Sequence, residues 1–328
     1  MTVSPVSSRS TKAASLKKLA RLTVGAALGL GLVAALVGAW TGPAFAQTAQ
    51  APVAEAARPI EGDGPALWVV KDADSTIYLF GTVHVLRPET RWESAKVTTA
   101  FNSASDIWFE ISNPDDVAAL VPLIQQYGVS PATPLSSLLT PTELGEVDAA
   151  AQTIGASAAK LDIYRPWYAG WILSLATLNR AGYDPKSGVE LTLKARAEAV
   201  GKPIHGFETI DKQVLLLANL PQDIQLEFLR SSLKDFYDAG TELDAMVDAW
   251  TIGDVDTLDR VTNDDVKTEA PDIYKALLTD RNIGFADQIQ TLLAGSGTAF
   301  VAIGAAHLAG DDSVQSMLAA RGVEVDRE

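Results

Sequence analysis

The chain has 328 residues, a net charge of −15 and no cysteine. Without cysteine there are no disulfides, thiolate metal sites or cysteine nucleophiles. The acidic surplus offers no electrostatic footprint for nucleic acid or for anionic lipid.

The first 46 residues read as a signal peptide. Arg9, Lys12, Lys17, Lys18 and Arg21 form a basic start with no acidic residue among them. An uncharged run follows from Leu22 to Trp40, and Ala44-Phe45-Ala46 supplies a small-x-small cleavage site. The alternative is an uncleaved anchor, because the run is long enough to span a bilayer. The whole chain carries −15 and its first 46 residues +5, so the remainder carries −20. The expected location is periplasmic or secreted, without stable membrane association once the leader is removed. Residues 47–60, rich in Ala, Pro and Gln, read as a flexible lead-in. Residues 61–328 contain no Pro/Gly/Ser linker that would divide them, and one domain is expected.

Along that domain, Leu67 to Val70 and Thr76 to Phe80 predict a hairpin around a polar turn at Asp72-Ala73-Asp74-Ser75. A helix is expected over Trp92 to Ser103, a strand over Asp106 to Ile111, and a helix opened by Asn113-Pro114. Pro141 to Val200 has apolar residues at helical spacing. Pro203 to Glu208 reads as a short strand or turn. A helical tract follows from Thr209 to Leu293, broken near Pro221 and Pro271. A strand from Thr298 to Ile303, a loop carrying His307, a helix from Asp312 to Ala320 and a strand from Val323 to Asp326 complete the chain. Strands at both ends around a helical middle predict an α/β fold: a mixed sheet with packed helices and a large helical insertion.

Two stretches stand out because they repeat. Ile77 to His84 and Ala299 to His307 are each an apolar, β-prone run ending at a glycine, with a histidine three residues further on. The chain has three histidines, and two of them occupy this frame. Chance would produce that spacing for both about one time in 200 at ordinary glycine frequency. The glycine is expected to let the chain turn sharply, placing His84 and His307 at the C-terminal edge of the sheet, where open α/β sheets bind ligands. The competing reading is two unrelated loop histidines.

With thiolates absent, a catalytic metal must be held by imidazole and carboxylate. Glu110, at the end of an apolar strand, is the first carboxylate candidate. Glu208, in the same position on the next strand, is the second, although it could equally cap the following helix. Such a set suits zinc, manganese or cobalt and leaves a position for a water whose pKa the metal lowers. Arg281 opens a predicted helix, where the dipole disfavours positive charge, and so becomes a candidate for a charge role in the site. His205 reads as a packed or surface residue. No P-loop, G-x-S-x-G elbow or H-E-x-x-H helix occurs.

The chain resembles the TraB/PrgY/GumN family, which includes the Tiki metalloproteases and is distantly similar to erythromycin esterases and ChaN haem-binding proteins. The likeness runs through Leu79 to His84, Phe109-Glu110, Pro166-Trp167, Gly188-Val189-Glu190, Gly201 to Pro203 and Phe207 to Thr209. It continues through Gln213 and Arg281-Asn282 to Gly304 to Gly310. The resemblance implies a mixed α/β fold with paired GxxH motifs facing one site. By similarity to the Tiki branch it also implies metal-dependent peptide cleavage, with His84, Glu110 and His307 as ligands. Glu208 would be a further ligand or general base, and Arg281 a catalytic residue. The esterase branch carries a glutamate three residues before its first histidine, where this chain has Gly81, so chemistry of that kind is not expected. The expected function is an exported metal-dependent hydrolase acting on a peptide or other small substrate. The alternatives are a non-catalytic protein that sequesters peptide, haem or metal, and an accessory factor in polysaccharide export.

Overall fold

The structure, a computed structural model, describes residues 63–234 and 239–328. The expected leader and lead-in lie outside those residues. Six strands form one mixed sheet: β1 (Leu67–Lys71), β2 (Ser75–Thr82), β3 (Asp106–Ile111), β4 (Ile204–Glu208), β5 (Gly297–Gly304) and β6 (Val325–Arg327), in spatial order β4-β3-β5-β2-β1-β6. The four strands β4, β3, β5 and β2 are parallel neighbours, and β1 and β6 extend the sheet antiparallel. The hairpin turns as the sequence predicts: Asp72 Oδ1 accepts from the backbone N–H of Asp74 at 3.1 Å and Ser75 at 2.8 Å.

Strand alternation divides the core in two. Phe80, Ile107, Phe109, Phe300 and Ala302 face the larger cluster, built mostly from the helical middle of the chain. Ile77, Leu79, Trp108, Val301 and Ile303 face the smaller one. Helices on the larger side include α1 (Ala95–Ser103), α2 (Val117–Tyr127), α3 (Pro141–Gln152) and α4 (Ala158–Leu161). They continue with α5 (Pro166–Arg180), α6 (Val189–Ala199), α7 (Ile210–Ala218) and α8 (Gln222–Lys234). After them come α9 (Ala239–Thr251), α10 (Val255–Thr262), α11 (Asp264–Glu269) and α12 (Pro271–Tyr274). The smaller side is covered by α13 (Asp280–Leu293) and α14 (Val314–Ala320). No helix among the described residues is long and apolar enough to cross a membrane.

Two local expectations are revised. Asn113-Pro114 does not open a helix; α2 begins at Val117, where the Asp116 carboxylate accepts the Ala119 N–H at 2.9 Å. Nor does Arg281 sit at a free helix start. A π-helical turn, Lys275–Thr279, joins α12 to α13, so the helical backbone runs on through that position.

Candidate functional site

The four parallel strands end on the same edge of the sheet, and each delivers one charged or titratable side chain there. Read across the sheet they are Glu208 from β4, Glu110 from β3, His307 just past β5 and His84 just past β2. All four are buried. The expected convergence of the two GxxH histidines on one edge with Glu110 and Glu208 is therefore what the topology produces.

The glycines act differently from the expectation. Neither Gly81 nor Gly304 has a positive φ, so neither supplies a special turn. Gly81 is needed for close approach: a Cβ there would lie 3.0 Å from the Ala305 Cα. Gly304 presents its backbone N–H to Glu110 Oε1 at 2.7 Å. The two motifs are also out of step, because Thr82, not Gly81, pairs with Gly304.

That offset accompanies two different environments. His84 Nδ1 lies 2.6 Å from Glu190 Oε1, and the same oxygen accepts the Thr82 hydroxyl. Burial opposes ionisation of Glu190, but the His84 charge and the hydrogen bonds from His84 and Thr82 outweigh it and hold the carboxyl below its usual range. Glu190 is thus an ionised acceptor, and His84 Nδ1–H donates to it. Burial likewise opposes a charged His84, yet Glu190, with a smaller contribution from Glu110, raises its pKa. His84 Nε2 is buried and has no hydrogen-bond partner among the described residues.

His307 is committed on both sides. Arg281 Nη1 donates to its Nε2 at 3.0 Å, which requires an unprotonated nitrogen there. Its Nδ1–H then donates to Asn282 Oδ1, an oxygen whose orientation is set because Asn282 Nδ2 donates to the Asp312 carbonyl at 2.7 Å. His307 is therefore a neutral imidazole of fixed tautomer, packed edge-on against Phe285.

Arg281 joins the two carboxylates. Its Nη2 donates to Glu110 Oε2 at 2.6 Å and Glu208 Oε2 at 2.7 Å, and its Nε donates to Glu208 at 3.0 Å. Gln213 Nε2 bridges the same pair at 3.1 and 3.2 Å. Burial opposes the Arg281 charge, but Glu110 and Glu208 raise its pKa further. Burial also opposes ionisation of Glu208, and Arg281, then Lys212, overcome it and lower the pKa. Glu208 does not cap a helix. Its carboxylate is spent on Arg281, Gln213 and Lys212, the last at 3.0 Å with a side chain 56% exposed.

The expected metal set does not fit this arrangement. Among the described residues no group of three or more His, Asp or Glu side chains is disposed to hold a metal ion. The physical reason is occupancy: both nitrogens of His307 and both oxygens of Glu110 already meet protein donors or acceptors, so that of the three expected ligands His84, through Nε2, is the one with an atom unengaged among the described residues. His205 lies elsewhere, stacked on Trp108 at 4.5 Å and 3.4 Å from Asp106.

The reading of the residues gave Glu190, Gln213 and Asn282 no role, although all three belong to the motifs quoted for the resemblance. Glu190 reaches His84 because Gly188 lets α6 start against the His84 backbone. A Cβ on Gly188 would lie 2.3 Å from the His84 carbonyl oxygen, and Val189 N–H donates to the Val83 carbonyl at 3.0 Å. Gly188→Ala is accordingly expected to destabilise the protein by about 1–3 kcal/mol, an overpacking cost. It should also uncouple His84 from Glu190. Thermal melts together with the His84 imidazole titration by NMR check both effects.

The fold and this edge define an α/β protein with a buried His–Glu pair beside an arginine held between two glutamates. The chain belongs to the TraB/PrgY/gumN family, whose model matches residues 66–327. It is similar to an uncharacterized protein of Treponema pallidum, 22% identical over 77% of this chain and 80% of that one. It is also similar to the uncharacterized protein YbaP of Escherichia coli, 21% identical over 77% of this chain and 92% of that one. No solved structure matches the chain.

Proposed function

We propose that this protein is an exported hydrolase of the peptidase type in which His84 moves the proton. The observation that carries the reading is the asymmetry of the His84 ring: Nδ1 is fixed by an ionised carboxylate while Nε2, in a buried setting, is left unengaged. A ring oriented in this way takes a proton from a water attacking a carbonyl and returns it to the leaving amine. Arg281, engaged by Glu110, Glu208, His307 and the Leu277 carbonyl, acts as a positioning residue that holds the carboxylates next to this ring. Glu208, held ionised at low pKa, suits anchoring Arg281 better than accepting a proton near neutral pH. The choice of a peptide rests on the family likeness. A second reading, a sequestering protein that holds a peptide or other small ligand unchanged, draws support from how fully the site is withdrawn from water.

One assay separates the two. The purified protein is incubated with a peptide library and the products are read by mass spectrometry, with chelator and added manganese, cobalt or zinc as parallel arms. Cleavage that falls by about 10²–10⁴-fold in His84→Ala, with the fold retained, is the expected result. Peptides that are bound and returned intact by the wild type would leave the sequestering reading in its place.

A further inference from the structure

We propose that Arg281 stands where a divalent cation would: the guanidinium is the resident charge that gathers Glu110, Glu208 and His307. The inference rests on taking this edge as the functional site, but not on hydrolysis. A metal bound there would need one imidazole lone pair and carboxylate oxygens directed at a common point. Those donor atoms are present and directed at the arginine. The lone pair of His307 Nε2 meets Nη1, and Glu110 Oε2 and Glu208 Oε2 both meet Nη2. The supporting shell is of the kind that backs a metal ligand, with the far N–H of His307 donated to a fixed Asn282 oxygen. The arginine is itself held from behind, because Nη1 also donates to the Leu277 carbonyl at 3.2 Å in the π turn.

The substitution changes what the site can do. A guanidinium stays charged at every working pH, cannot be chelated, and has directional donors in one plane. It does not coordinate water and so does not generate hydroxide as a metal does. Activation of water then falls to His84, and Lys212 at the rim of the site provides the second positive charge that two carboxylates require.

The test uses the three histidines of the chain as reporters. Wild-type protein labelled with ¹⁵N-histidine and purified without chelator is analysed for metal, then titrated with Mn²⁺. The expected result is substoichiometric metal, a His307 that stays in the neutral Nδ1–H tautomer, and broadening of His84 and His307 no greater than that of half-buried His205. Arg281→Ala should expose the three donors, bind one equivalent of Mn²⁺, Co²⁺ or Zn²⁺, and gain thermal stability with added metal. Adding Glu208→Ala should remove that gain. One equivalent of firmly held metal in the wild type, selective broadening of His84 and His307, or a folded Arg281→Ala that ignores metal would each overturn the proposal. Should Arg281→Ala not fold, the wild-type spectra decide alone. None of these readouts involves turnover, so failure here and failure of the hydrolase reading are distinguishable.

Discussion

Arg281→Ala, measured without added metal, is expected to lower the free energy of unfolding by about 3–5 kcal/mol, a large part of the stability of an ordinary domain. The reason is what remains behind. Glu110 and Glu208 sit together in a site from which water is nearly excluded, and Arg281 donates to both. Removing it leaves two adjacent buried carboxylates with only Gln213 in common and Lys212 at the edge. Adding Glu110→Gln and Glu208→Gln should return much of the loss, since neutral amides need no counter-charge. Arg321→Ala is the internal comparison: its ion pair with Asp287 lies at the surface and should be worth about 0–1 kcal/mol. Urea unfolding of the four proteins gives the ranking, and equal losses for Arg281→Ala and Arg321→Ala would refute it.

Under the proposed hydrolase reading, Glu190→Gln is expected to reduce turnover by about 10²–10⁴-fold, because the ring of His84 loses the charge that sets its tautomer and stabilises its protonated form. The same pair gives stability a defined pH dependence. The folded pKa of His84 is raised, so its contribution is complete below the ordinary value of 6.5 and is lost as pH rises through the raised one. The folded pKa of Glu190 is lowered, so its contribution is complete above the ordinary value of 4.5 and is lost as pH falls through the lowered one. The stability gap between wild type and Glu190→Gln should therefore be widest between pH 4.5 and 6.5 and narrow on either side. A gap independent of pH would mean that the two side chains do not share a proton in solution.

Much of the sheet was legible because each strand carries its own local signal. The runs ending at Thr82, Ile111, Glu208 and Gly304 are short and β-prone, and a parallel arrangement necessarily collects their ends on one edge. What surrounds those ends was harder to read. Glu190 lies in the first turn of a helix, where a glutamate is ordinary, and only the clearance at Gly188 brings it to His84. Asp280-Arg281-Asn282 reads as a helix opening, whereas the π turn Lys275–Thr279 carries the helix on from Tyr274 through Arg281. The metal set was drawn from residue types that ligate. Sequence does not show which lone pairs are already engaged, and here Arg281, 171 positions from Glu110, meets Glu110 Oε2 and His307 Nε2 while the Gly304 N–H meets Glu110 Oε1.

The central place of β5 has a bearing on biosynthesis. It lies between β2 and β3, although both emerge from the ribosome long before it does. Its Gly304 meets Glu110 across 194 positions of chain. Until that segment arrives, the slot must stay open, and Glu110, although Arg281 has already been made, has neither the Gly304 N–H nor His307 to meet it. A nascent or truncated polypeptide ending before Gly297 should consequently remain a non-native, protease-sensitive chain, and the centre comes into being only once β5 and His307 are in place.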